Sequence, residues 1–410
     1  MKKKIWYISK YCEIGNKDSI GSRGWMLMKN FAKKGHEILI ITSDHQNELY
    51  SNNYYPKLKK IFKKDGVKII LLNTFKYSIS KSISRIISWF DFEINLLSLN
   101  KKFLPKPDII IVSSLSLLTI LNGILLKKKF RCKLVFEIRD IWPLTLIEEG
   151  GFSQYNPFIL ILGLIERVGY KNSDLIVGTM PKLSEHVEKI LGYPKQVKCI
   201  PMGIERSMLK DKKIKIPGYI KRRFKSDHFD VVFMGTIGIT NALDTFFKAA
   251  KILENNLKIR FIIVGDGSLR KKYLSIYGHL ANIIYFPKIK KKQVQSFLTN
   301  ADVVYFSVFK SKVWNYGQSL NKVIDYMISA KPIIASYSGY PSMINESNCG
   351  YLIPAGDHYS LVHKIRKMRE MTIIERKTMG ARGLKWVLKN RLYDKLSRDY
   401  LSFLLKSGSK

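Results

Sequence analysis

Short β-branched runs alternate with longer amphipathic stretches along the whole chain. KIWYIS (4–9), HEILIIT (36–42), GVKIILLN (66–73), DIIIVSS (108–114), KLVFEIRD (133–140) and DLIVGT (174–179) read as strands. Between the first two lies SRGWMLMKNFAKKG (22–35), a helical pattern closed by glycine, and a long helix is expected around 82–102. Strands that are apolar on both sides belong to parallel sheets covered by helices on both faces. The alternation restarts at DVVFMG (230–235) and runs through IRFIIVGDG, NIIYFPKI, VQSFLTNADVVYFS, SLNKVIDYMISA and KPIIAS. The interruption is CIPMGIERSMLKDKKIKIPG (199–218), so two α/β domains are predicted, each doubly wound, facing a cleft. The expected boundaries are 1–200, a linker at 201–217, a second domain at 218–385, and a final helix at 386–410 packing back toward the first domain.

At 410 residues the chain is long enough for two cores, and 46% hydrophobic content argues against disorder. Cys12, Cys132, Cys199 and Cys349 are far apart and form no metal or disulfide pattern, which suits a reducing cytosol. The formal net charge of +39 favours polyanions, either nucleic acid or an anionic membrane face, unless it reflects a lysine-rich composition alone. Runs such as KLKKIFKK (57–64) and KIKKK (288–292) are the candidate basic clusters. A nucleic-acid groove needs a basic stripe interleaved with exposed aromatics, and the lysines show no such concentration, so nucleic acid is not the expected partner. The uncharged stretch Ile109–Leu126 has the length of a short membrane span, but a buried strand followed by a helix accounts for it.

In order, SRGWMLMKNFAKKGHEILIIT, DLIVGTMPKLSEHV, CIPMGIE, RFIIVGDGSLRKKYL, NIIYFPKIKKKQVQSFLTNADVVYFS and GQSLNKVIDYMISAKPII resemble the landmarks of family 4 glycosyltransferases of the GT-B fold. FEIRDIWP and the SLNK start further resemble the N-acetyl-L-fucosamine transferases of bacterial O-antigen and capsule synthesis. The resemblance implies a retaining transferase that moves a sugar from a nucleotide-sugar, UDP-linked by expectation, to a lipid-linked glycan acceptor. An N-acetylated amino or deoxy sugar is the expected cargo. A nucleotide-sugar epimerase of the same fold and a non-enzymatic polyanion binder are the alternatives. Two departures stand out. Gly317 and Asp325 occupy the positions of the family's paired glutamates, and Thr236 and Asn241 stand where an arginine and a lysine are usual.

The donor site is expected around the helix after Ser319. A helix N-terminus offers unpaired N–H groups and partial positive charge to a diphosphate. Ser319 is the expected cap, Leu320 and Asn321 open the helix, and Lys322 adds a full charge in the first turn. Asp325, one turn deeper on the face of Asn321, is placed to accept both hydroxyls of a ribose, unless it merely pairs with Lys322 or Asn321. Gly235 and Gly238 follow the first strand of the second domain, where backbone N–H groups approach a phosphate, or they form an ordinary turn. The resemblance adds Lys288 in FPKI, beside the base. In the first domain, Gly21, Ser22 and Arg23 open the first helix toward the cleft, and Arg139 and Asp140 end a strand there. Arg139 would neutralise the leaving phosphate and Asp140 accept a sugar hydroxyl, unless the two form a surface ion pair. Glu148, Glu149 and Gly150 are weaker acceptor-side candidates, while Gly265–Asp266–Gly267, His36 and His186 read as structural.

Arg139, Asp140 and Lys322 are therefore the expected catalytic residues, with no cofactor and no metal, because no acidic pair lies in a metal-binding loop. The helix around 82–102, with Ile83, Ile87, Phe90, Ile94 and Leu97 in one stripe and Lys101 and Lys102 behind it, either docks at a membrane interface or packs on the first sheet. The expectation is a cytoplasmic protein peripheral at the inner face of the plasma membrane, partnered by a nucleotide-sugar, a lipid-linked acceptor and anionic lipid.

Overall fold

The computed structural model describes residues 2–16, 19–45, 47, 59–77, 83–102, 104–114, 116–224, 227–256 and 258–406. Residues 57–58 of the first lysine cluster lie outside these, as do residue 82 and the side chain of Ile83 at the expected helix start. The chain divides into two compact units, residues 1–201 with 393–410, and residues 202–392.

The first unit holds strands β1 (Lys4–Ile8), β2 (Glu37–Ser43), β3 (Lys59–Lys64), β4 (Val67–Leu72), β5 (Ile109–Ser113), β6 (Lys133–Ile138), β7 (Leu175–Gly178) and β8 (Val197–Cys199). They form one sheet in the order β3-β4-β2-β1-β5-β6-β7-β8, parallel except for the β3–β4 hairpin. Its helices are α1 (Arg23–Lys33), α2 (Ile83–Ser98), α3 (Thr119–Phe130), α4 (Leu144–Glu148), α5 (Pro157–Asn172) and α6 (Leu183–Leu191). Alternate strand residues serve opposite faces. Tyr7, Ile40, Ile69, Ile111 and Val135 share a core with Trp25, Met28 and Phe31 of α1. The opposite face receives α2, α3 and α5. There Gly169 of α5 is obligatory in size, because an added Cβ would stand 2.8 Å from the Phe136 ring. The uncharged stretch 109–126 is β5 followed by α3, and among the described residues no helix is long and apolar enough to cross a membrane.

The second unit contains α7 (Gly218–Arg223), α8 (Asp244–Ile252), α9 (Arg270–Tyr277), α10 (Val294–Leu298), α11 (Asn321–Ser329), α12 (Met343–Ser347), α13 (His358–Glu370) and α14 (Ile373–Asn390). Its strands are β9 (Phe229–Met234), β10 (Ile259–Val264), β11 (Ile283–Phe286), β12 (Val303–Ser307), β13 (Ile333–Ser336) and β14 (Gly350–Ile353). The sheet order β11-β10-β9-β12-β13-β14 is parallel throughout and reverses direction beside β9. In open sheets of this kind ligands collect where the order reverses, beyond the carboxyl ends of the strands.

Two boundaries differ from the expectation. Residues 202–217 do not form a free linker. Their 3₁₀ turn, Arg206–Lys213, packs on α10 and belongs to the second unit. The segment from 386 is not one helix either. α14 stays with the second unit to Asn390, and α15 (Tyr393–Lys406) packs on α1, with the Phe31 and Tyr400 rings 5.5 Å apart edge to face.

Candidate functional site

The reversal point beside β9 opens into a cavity of about 730 Å³ lined by residues of the second unit alone. That volume lies within the range of small-molecule sites. Gly235, Thr236, Asn241, Lys288, Lys291, Lys322 and Asp325 contribute to its wall. The loop after β9 is held to α11 by one buried phenol. The Tyr326 hydroxyl accepts from the Met234 N–H at 3.0 Å and donates to the Met234 carbonyl at 3.2 Å. Lys322 and Asp325 lie one turn apart on the same helix, and both line the cavity together with Tyr326.

Lys322 is mostly enclosed. Its Nζ lies 4.4 Å from the centre of the Phe233 ring and donates to Asn241 Oδ1 at 2.5 Å. The Asn241 amide in turn donates to the Thr236 carbonyl at 2.7 Å, which fixes the direction of its oxygen. Burial pulls the Lys322 ammonium down to about 7. A buried ammonium held by a ring face and an amide oxygen gains from an incoming anion. Gly235 makes room for it. With φ at +155°, an added Cβ would stand 2.9 Å from Lys322 Cε. Gly265 and Gly267 pack on the backbone of Gly235 and Ile237, and the GDG turn, expected to be structural, also lines the cavity.

Asp325 keeps 13% of its side chain exposed, so the acid is not sealed in a dry core. Its partner is neither Lys322 nor Asn321. Lys291, from the turn before α10, donates to Oδ2 at 2.5 Å. Burial raises the Asp325 carboxyl above its ordinary range and the Lys291 ammonium opposes that. Lys291 is 60% exposed and free to swing away at little cost, because an ion pair open to water is worth about 0–1 kcal/mol. Lys291 lies in the KIKKK run, but no local pattern points it to Asp325.

Other donor-side candidates are placed differently. α11 begins at Asn321, with Leu320 as an extended N-cap residue and no side-chain cap. Ser319 does not cap it, because its hydroxyl accepts the Met202 N–H at 2.7 Å. Ser319, Leu320, Asn321 and Gly238 are not among the residues that line the cavity. Gly238 has ordinary extended backbone and room for a Cβ.

The first-unit candidates form a separate group. Ser22 caps α1 by accepting the Trp25 N–H at 3.5 Å, and Gly21 before it takes a positive φ of 81°. Arg23 corrects an expectation. Its side chain is fully buried against Glu137 at 2.8 Å, and it donates to the Ile200 carbonyl at 2.6 Å and the Pro201 carbonyl at 3.3 Å. It has no surface to offer a ligand. Burial pushes the Glu137 carboxyl up, but Arg23 and the Tyr7 hydroxyl, 2.9 Å away, outweigh it and hold the group below its usual range. Glu137 had passed unnoticed inside the apolar run KLVFEI. At the end of the same strand, the Arg139 N–H donates to Ser114 Oγ at 3.0 Å and the Arg139 carbonyl accepts from Thr179 Oγ1 at 3.1 Å. Desolvation raises the carboxyl of the adjacent Asp140. Glu149 is lifted to about 7 by burial and by the negative charges of Asp140 and Glu148. His36 accepts from the Lys3 N–H through Nδ1, and His186 lies buried on α6 with Nε2 2.8 Å from Glu166, so both serve the fold. Among the described residues no group of three or more His, Cys, Asp or Glu side chains could hold a metal ion.

Residues 25–207 match the model of Glycosyltransferase Family 4, and residues 228–370 match that of Glycosyl transferases group 1. No curated protein matches the chain. Among solved structures, sucrose-phosphate synthase from Thermosynechococcus elongatus is 15% identical with a TM-score of 0.71, and all of each chain is covered. A trehalose-6-phosphate protein from E. coli, bound with UDP-2-fluoro glucose, is 14% identical with a TM-score of 0.74 over 99% of each chain. Anabaena HepE, in complex with UDP and glucose, is 12% identical with a TM-score of 0.66, covering 98% of this chain and all of that one. At such identities these likenesses establish the fold. With one glycosyltransferase model matched in each unit, the chain is a glycosyltransferase of the GT-B class, built on two Rossmann-like domains.

Proposed function

We propose that the second-unit cavity binds the nucleoside diphosphate of a sugar nucleotide, UDP-linked by preference, and that the enzyme transfers a hexose-type sugar from it. The observation that carries this reading is the pairing of Lys322 and Asp325 in one cavity beyond β9. Among the described residues, Lys322 has no carboxylate partner, which suits phosphate, and the side-chain ion pair of Asp325 is with a solvent-exposed lysine, which suits a diol. Solved structures that share the fold carry UDP with glucose or a UDP-sugar analogue, which supports the choice of uridine.

In this mechanism charge develops on the departing diphosphate. Lys322 faces it as a preorganised donor from the cavity wall. Lys322 takes the place of the usual arginine and lysine, where this chain has Thr236 and Asn241, and no metal is required. Arg139 and Asp140 are this reading's candidates for contacts with the leaving group and the hydroxyl partners. Retention of anomeric configuration follows from the family, with the leaving phosphate oxygen receiving the acceptor's proton.

The acceptor belongs to the same reading. FEIRDIWP and SLNK favour a lipid-linked glycan in surface polysaccharide synthesis, and an N-acetylated amino or deoxy sugar as cargo. A thermal-shift panel of nucleotide sugars, followed by calorimetry, tests the donor. Stabilisation by a UDP-sugar that is lost in Asp325→Ala is the expected outcome. Conversion of the donor to an epimer without any acceptor would overturn transfer in favour of epimerisation.

A further inference from the structure

Three neighbouring helices of the first unit carry aliphatic side chains where a solvated helix carries charge. On α2, Ile87, Phe90, Ile94 and Leu97 are between 49% and 61% exposed, while Trp89, Phe92 and Leu96 turn inward. The stripe therefore does not pack on the sheet; it faces out, and the ordinary polarity of an amphipathic helix is doubled rather than reversed. α3 packs beside α2 and presents Leu121 and Leu125. α5 packs beside α3 and presents Leu160, Ile161, Leu164 and Val168, with Leu164 66% exposed. The acids of these helices are engaged within the unit. Glu93 and Glu166 are buried, and Asp91 accepts the Phe75 N–H at 2.6 Å. Ten exposed large apolar side chains on adjoining helices make far more than the scattered leucines of an ordinary surface.

Cations gather where these helices end. Lys101 Nζ donates to the carbonyls of Leu96 and Leu97 at the end of α2. Burial, with the nearby Lys129 ammonium adding to it, lowers Lys101 to about 8, which places the ends of α2 and α3 together. Lys127, in the last turn of α3, reaches the Asn172 carbonyl at 3.0 Å and Asp174 at 2.6 Å, beside the end of α5. Lys102, Lys128, Lys129, Arg131 and Lys171 are exposed around this end.

We propose that the α2–α3–α5 face docks on an anionic lipid surface, its aliphatic side chains entering the acyl boundary and its basic end meeting the headgroups. Apolar area combined with clustered lysines is the pattern that holds an interfacial helix on anionic lipid. A protein partner fits less well. Lysine is depleted from protein interfaces, whereas this face is bordered by exposed Lys102, Lys128, Lys129 and Lys171. A second copy would bring another chain of net charge +39 against the first. Among the described residues no helix can cross the bilayer, so the contact is one of lying on the surface. The inference rests on the first unit alone and does not depend on the donor reading.

The test uses the full chain and sedimentation with vesicles of phosphatidylcholine, alone or mixed with phosphatidylglycerol. The wild type should pellet with the mixed vesicles. Ile94→Glu with Leu164→Glu should lower that partition by about tenfold or more, since each places a charge in the acyl boundary. Lys128→Glu with Lys129→Glu should lower only the anionic-lipid component and flatten its salt dependence. All four positions are exposed, so thermal unfolding midpoints should be unchanged, and UDP titration on the same preparations reports the donor site separately. Three results would overturn the proposal: absence of vesicle binding, binding unaltered in the Ile94/Leu164 variant, or a lipid-free dimer that this variant converts to monomer.

Discussion

Asp325→Asn keeps the shape of the side chain and removes its charge, which isolates what the carboxylate does. In the free protein Oδ2 is engaged by Lys291 at 2.5 Å, and a ribose must displace that lysine. Hydrogen bonds to a charged acceptor contribute about 1.5–3 kcal/mol. Breaking the Lys291 pair, whose lysine is 60% exposed, costs at most about 1 kcal/mol. The net contribution to UDP binding is therefore about 2 kcal/mol, a loss of about 30-fold in Kd for Asp325→Asn. Inorganic pyrophosphate has no ribose, and for it the variant removes only a nearby negative charge. Calorimetry with both ligands should show UDP binding weakened and pyrophosphate binding unchanged or tighter. A parallel loss for both ligands would refute the assignment of Asp325 to the diol and move it to the phosphate end.

Lys322 makes the site sensitive to pH. Burial lowers its folded pKa from 10.5 to about 7, so above that value the empty cavity holds a neutral amine, and an anion must restore the proton. UDP affinity should fall as pH rises through about 7, with proton uptake visible as a buffer-dependent heat, and both effects should vanish in Lys322→Met. Because the unfolded lysine keeps its proton up to 10.5, the same group should make the fold more stable as pH rises from about 7 toward 10.5, seen in pH-dependent denaturant titration. Gly235→Ala should weaken UDP binding at least as much as Lys322→Met, because its Cβ meets Lys322 Cε at 2.9 Å and its φ of +155° disfavours alanine. Arg23→Met leaves Glu137 buried without its ion-pair partner, so urea denaturation should show about 3–5 kcal/mol lost. In that variant UDP affinity at the other unit should be unchanged.

The alternation of apolar runs and helical stretches made both sheets and their parallel character legible, because strands buried on two faces leave an unmistakable run of Ile and Val. Lys322 and Asp325 were legible for a similar reason, since helical spacing alone puts them one turn apart. What escaped involved partners distant in the chain. Ser319 has the chemistry of a cap, but its hydroxyl is taken by Met202, 117 residues away. Lys291 meets Asp325 across 34 residues, and no local pattern signals such a pair. Arg23 was misjudged because a charged residue at a helix start is normally solvated, whereas here Glu137 on β6 draws it wholly inside. The α2 stripe was visible as a stripe. Which way it faced depended on Trp89, Phe92 and Leu96 on the opposite side, large enough to cover the sheet on their own.

Hydrogen exchange with and without saturating UDP is the most direct measurement of where the nucleotide sits. Protection should appear in residues 234–241 and at the start of α11, around Lys322 and Asp325, with little change elsewhere in the second unit. Protection that leaves these two segments untouched would contradict the account.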